Sequence, residues 1–214
     1  MAVFPTSVFK NVANFDISST GSYTASAGVT TQSVLYIECF GGGQSGAGGV
    51  SAQQSGDGAA GGSAGGYSAV FVRAGTVLST PYTCSVGAGG ASPAVGVSVQ
   101  NAGGDTLVTS GSTVICLAPG GGSATPAVGD LKVAGAAGGV GLDSPAIGGF
   151  GGAGLLGGGG TPAMAPANTP VNGGAGAWYG SGGAGGASQG DVGNATGSRG
   201  GAGANGFIRI WEYI

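Results

Sequence analysis

The sequence has no histidine, only three cysteines, and just five basic and eight acidic side chains in 214 residues. Without histidine, neither a Ser-His-Asp nor a Cys-His nucleophile can be assembled, and the commonest metal ligand is missing. The five cations, Lys10, Arg73, Lys132, Arg199 and Arg209, are scattered singly. No basic stripe can form from them, so a nucleic-acid partner is not expected. No apolar run approaches the ~20 residues that span a bilayer, and membrane insertion is not expected either. The stretch Met1 to Lys10 lacks a basic region followed by an apolar one, which reads as no secretory signal. Cys39, Cys84 and Cys116 lie too far apart for a disulfide framework or a zinc site. Each falls in a β-like run and reads as a small core residue of a chain made in a reducing cytoplasm.

A carboxylate pair of the glycosidase kind is the remaining route to an enzyme. Asp57, Asp105, Asp130, Asp143 and Asp191 mostly adjoin glycine, serine or threonine, where aspartate is a routine turn residue. Gly41–Gly46 and Gly152–Gly157 match G-x-G-x-x-G, but glycine rather than a helix follows the first, and both matches are chance in this composition. The expected protein is not an enzyme and holds no cofactor.

What the sequence has is glycine: 54 residues, one in four. Interior glycine costs a helix roughly 1 kcal/mol against alanine, so a helical fold is excluded. Short aromatic and β-branched islands read as strands: Val34–Phe40, Tyr67–Arg73, Tyr82–Val86, Asp105–Thr109, Thr113–Leu117 and Phe207–Tyr213. In the last, Ile208, Ile210 and Glu212 share one face and Phe207, Arg209, Trp211 and Tyr213 the other.

Between the islands, glycine recurs every third residue. Gly148, Gly151, Gly154, Gly157 and Gly160 form one series, and Gly197, Gly200, Gly203 and Gly206 another. Gly135, Gly138 and Gly141 repeat the spacing, as do Gly43, Gly46 and Gly49. Three residues per turn is the repeat of the polyproline II helix, which has no internal hydrogen bonds. Buried segments of that kind must bond sideways to neighbours, and only glycine lets their backbones come close. The expected fold class is therefore all-β with polyglycine II. A small antiparallel sheet or sandwich from the N- and C-terminal strands joins a stacked bundle of glycine-rich helices of polyproline II type.

Four motifs in order resemble the glycine-rich domain of bacteriophage tail proteins. They are Gly28–Gly43, Pro81–Gly90 with its Tyr-Thr-Cys-Ser-Val-Gly-Ala-Gly-Gly run, Gly103–Val108, and Gly201–Tyr213. The domain's best understood members, which this chain resembles, are the distal receptor-binding adhesins on the long tail fibres of T-even-type phages. It implies a stiff polyglycine II core that displays variable loops to the host, with 1–14 as an attachment segment and 15–214 as the glycine-rich domain.

The implied function is a virion protein, a tail-fibre or tail-tip adhesin assembled in the host cytoplasm. Its partners would be a bacterial surface protein or glycan and other virion proteins of fibre, baseplate or capsid. A monomer or homotrimer suits fibre geometry. The alternative is a capsid decoration or head-fibre protein with a structural role. Segments separating the glycine blocks, 50–55, 91–102, 123–134, 140–147, 161–172 and 187–199, carry most of the larger side chains. Phe150, Leu155, Leu156, Met164, Trp178 and Tyr179 are the receptor-binding candidates, because large apolar side chains on a rigid backbone suit receptor contact.

Overall fold

A computed structural model describes residues 8–50, 56–75, 81–166, 169–189 and 197–214. The expected segments 50–55, 161–172 and 187–199, Asp191 and the first seven residues therefore lie partly or wholly outside the described residues. The described chain is all-β, with several antiparallel sheets.

Two sheets face each other. The first has five strands, β1 (Phe9–Phe15), β3 (Val34–Phe40), β5 (Tyr67–Arg73), β9 (Leu131–Val133) and β13 (Phe207–Tyr213), in the order β1-β13-β3-β5-β9. The second has four, β2 (Gly21–Tyr23), β6 (Tyr82–Ser85), β7 (Thr106–Ser110) and β8 (Thr113–Ala118), in the order β2-β6-β7-β8. Alternation decides which side chains meet between them. Leu35, Ile37 and Cys39 of β3 and Ile208 and Ile210 of β13 point inward against Tyr82, Cys84, Val108 and Cys116. Each such aliphatic side chain contributes roughly 1.5–3 kcal/mol by leaving water. The six strands expected from sequence are all present within a residue or so. Most of the expected attachment segment that is described, residues 9–14, belongs to β1 and pairs with β13.

All three thiols lie within this core and are free. Burial raises Cys39 well above the usual thiol value and pushes Cys84 up to about 12. All three are also closed off from reagents by the packing around them, and only an accessible thiolate reacts. A disulfide-exchange reagent at pH 8 should therefore label none of the three in the native protein and all three in denaturant. Fast labelling of one thiol in the native state would contradict this packing.

Where the sheets end, their strands run on into glycine. After β3, the chain continues as 41–49, and its amides donate in strict rotation to three neighbours. Gly41, Gln44 and Ala47 donate to Gly66, Ser63 and Ala60, each at 2.9 Å. Gly42, Ser45 and Gly48 donate to Gly104, Asn101 and Val97 at 3.0, 3.0 and 2.8 Å. Gly43 and Gly46 donate to Ala204 and Gly201 at 2.8 and 2.9 Å, and Gly49 donates to Ser198 Oγ at 3.0 Å. Carbonyls of the same segment accept from three more: Gly42 from Gly121, Gly43 from Gly90, and Gln44 and Ala47 from Gly183 and Gly186. Segment 41–49 is thus enclosed by six others. Segment 180–186 is a second inner one, donating to 41–49, to Gly152 and Gly149, and to Gly174.

Glycine is required where these backbones touch. A Cβ added at Gly43, Gly46, Gly183 or Gly203 would fall closer than 3.0 Å to a carbonyl of the next segment. The buried amides and carbonyls, which would otherwise be costly orphans, are paired laterally. These segments form a slab that prolongs both sheets.

One carboxylate is built into the sandwich. Glu212 on the inner face of β13 is fully buried. Its Oε1 accepts from the Tyr23 hydroxyl at 2.6 Å and from the Ser26 amide at 2.9 Å, while Oε2 has no partner among the described residues.

Candidate functional site

The slab has a near end, adjoining the sandwich, and a far end. Register assigns each segment to one of them. Residues 41, 66 and 204 are bonded next to the strands, whereas 47, 59–60 and 186 are bonded at the other extreme. Hydrogen bonds from Gly148 to Ala163, Ala165 to Ala146, and Val171 to Ala187 put 146–148, 163–165, 171 and 187 at the far end as well.

Short strands finish the far end: β4 (Gly56–Gly58) pairs with β12 (Ala187–Gln189), and β10 (Leu142–Asp143) pairs with β11 (Ala146–Ile147). The β10–β11 hairpin lies directly on β4, since a Cβ at Gly58 would run into Leu142 and Ile147 backbone. Ala146, Ala163, Ala165 and Ala187 are buried together beneath, with Val171 packed on them. Small side chains are needed there because the backbones above and below are so close.

Outward from this alanine layer comes an apolar row. Leu142 is opposite Ile147, and Ile147 is bridged to Met164, so the three side chains share one face. Leu142 is 55% and Met164 65% exposed, and neighbouring Val140 is 83% exposed. The nearby carboxylates are engaged with backbone: Asp57 accepts from Val50 N, and Asp143 Oδ1 lies 3.5 Å from Gly58 N. An exposed aliphatic patch on a short, braced hairpin can bind by excluding water, with little side-chain ordering cost beyond that of its own rotamers.

The six candidate residues do not all come together, but Leu155, Leu156, Trp178 and Tyr179 occupy two near-end turns in contact with each other, since a Cβ at Gly157 would overlap the Trp178 ring and one at Gly154 would reach Tyr179 O. Met164 alone belongs to the far end. Phe150 stands on the flank at mid-slab, 66% exposed, its carbonyl accepting from Gly139. Leu155 and Leu156 occupy a tight turn at the near end, where Gly157 N donates to Gly154 O at 3.2 Å. Leu155 there lines a groove of about 280 Å³ with Tyr67 and Val133. Trp178 and Tyr179 form another near-end turn, and the Tyr179 ring stacks on Phe207 at 4.5 Å and 19°. Of the separating segments, 123–134 contributes β9 to the first sheet, whereas 140–147 and the described part of 161–172 are at the far end. Leu142 and Val140 were covered by a segment but not singled out. Val140, between Gly139 and Gly141, carries the same signal as Phe150, an isolated large residue between glycines, whereas Leu142, between Gly141 and Asp143, does not.

Among the described residues, no group of side chains is arranged to hold a metal ion, and no helix is long and apolar enough to cross a membrane. No curated protein matches the sequence. The model of the glycine-rich domain family matches residues 17–211, and the chain belongs to that family.

Proposed function

We propose that this member of the glycine-rich domain family is a virion adhesin of phage tail-fibre or tail-tip type, which holds a host surface receptor through its far end. One observation carries the reading: an apolar row, half-buried Ile147 between exposed Leu142 and Met164, crowns a slab whose hydrogen bonds repeat every third residue. That repeat, the antiparallel and parallel neighbours and the glycine-only contacts support polyglycine II as the architecture of the slab. A stiff backbone permits loop residues to diverge without loss of the scaffold. The mechanism is rigid display, with no chemistry on the receptor. Partners are a bacterial surface protein or glycan and the virion component that carries the chain.

Adsorption of purified protein to host cells tests the reading, with stripped capsids as the competing surface. Met164→Glu together with Leu142→Glu should weaken cell binding by at least ~10-fold, because each places a charge where water must leave. Thermal unfolding should barely change, since both side chains are exposed. With so few charges in the chain, adsorption should vary only about 2–3-fold between low and moderate salt. Binding to capsids alone, or undiminished cell binding by the double variant, would overturn the proposal.

A further inference from the structure

The near-end turn around Trp178 is tied together by its own hydrogen bonds. Trp178 N donates to Ser181 Oγ at 3.1 Å, Ser181 Oγ donates back to Trp178 O at 2.6 Å, and Ser181 N reaches the same carbonyl at 2.9 Å. Gly180 closes the turn at φ +74°, a left-handed conformation that glycine adopts without strain. Its amide is tied to Asn205 O at 2.9 Å. The indole lies against Gly157 so closely that a Cβ there would overlap its ring. Trp178 is nevertheless 59% exposed. An aromatic side chain locked at its base yet open to water has already lost the entropy that binding would otherwise cost.

A cavity of about 380 Å³ adjoins it, lined by Ala177, Trp178, Tyr179, Ala204 and Asn205. Its polar groups are neutral. Asn205 Oδ1 accepts from Gly89 N at 2.9 Å, leaving the amide NH₂ without a partner among the described residues. The Tyr179 hydroxyl likewise has none. Phe207 backs the Tyr179 ring and is itself covered by the Arg209 guanidinium, 5.5 Å from its centroid.

We infer that this cavity binds a neutral saccharide, stacking the C–H face of one pyranose on Trp178 and offering hydroxyl partners from Tyr179 and Asn205. Openness selects the class. A wholly apolar ligand would leave much of its surface wet here, whereas a sugar buries one hydrophobic face and keeps its other hydroxyls in solvent. A nucleotide could stack equally well, but no charged side chain lines the cavity to hold its phosphate. The site is remote from the far-end row and does not depend on the adhesin reading.

The chain has two tryptophans, Trp178 and Trp211, so its ¹H–¹⁵N spectrum carries two indole signals. Trp211 Nε1 is bonded to Glu38 Oε2 at 2.7 Å and serves as an internal reference for folding. Titration with cellohexaose, maltohexaose and chitohexaose should shift the Trp178 signal saturably for at least one of them, with Kd on the order of 1 mM. The Trp211 signal should stay in place, and adenosine monophosphate should bind at least ~10-fold more weakly. Trp178→Ala should abolish the sugar-induced backbone shifts around Asn205 while leaving the Trp211 signal unchanged, and Met164→Glu should alter neither. The inference falls if no sugar gives a saturable shift, if Trp178→Ala still binds, or if the nucleotide binds as tightly.

Discussion

Gly46→Ala should unfold the protein, or destabilise it by about 4 kcal/mol, although it adds a single methyl group. The new Cβ would run into the carbonyl of Ala184, in the other inner segment of the slab. Overpacking a core usually costs ~1–3 kcal/mol because side chains shift to make room. Here the obstacle is backbone, which cannot rotate away. Separating the two segments also strains the bond from Gly183 to Gln44 O and its neighbours, each worth ~1 kcal/mol net.

Gly158 supplies the control. A Cβ there meets nothing within 4 Å, and its φ is not in the left-handed range. Gly158→Ala should therefore stabilise the protein by ~0.4–1 kcal/mol, through a smaller entropy of the unfolded chain. Urea unfolding of both variants measures the contrast. Gly46→Ala unfolding within ~1 kcal/mol of the parent would refute close backbone packing in the slab.

The second large effect concerns Glu212. Burial alone would raise its carboxyl, but the bonds from Ser26 and Tyr23 and the charge of Lys10 outweigh it and hold the group below its ordinary value of 4.5. The folded protein thus binds this proton less readily than the unfolded chain. Its contribution is complete above the ordinary glutamate range and declines as pH falls through the depressed value. Glu212→Ala should cost ~3 kcal/mol at pH 7, because Tyr23 OH and Ser26 N lose their acceptor inside the core. Glu212→Gln keeps an acceptor and should cost less, while flattening the acid limb of a plot of stability against pH. Parallel acid limbs for Glu212→Gln and the parent would show that another group governs acid unfolding.

Strands with aromatic and β-branched runs are legible in the sequence, as is a sheet drawn from the N- and C-terminal strands, within which the structure pairs β3 with β13. β1 is not legible, because Phe9-Lys10-Asn11-Val12-Ala13-Asn14-Phe15 mixes polar and apolar residues without clean alternation and is fixed by its pairing with β13. Nor are β4 and β12, in which glycine, alanine and serine have little strand propensity and the bonding partner decides. The spacing of three announced lateral hydrogen bonding but not which segment lies beside which. The candidate residues suffered for the same reason. Isolation among small residues marks large exposed side chains such as Met164 and Trp178, yet only the register reveals that these two occupy opposite ends.

Rotation of partners along 41–49 carries a consequence for how such chains diverge. Each neighbour is met again only after three residues, so deleting one residue would hand every later amide to the wrong acceptor, while deleting three would merely shorten the column. Length changes inside the slab should therefore occur in triplets, a reading frame kept by the backbone rather than by codons. The hairpin turns that cap the columns are under no such rule and can lengthen by any number.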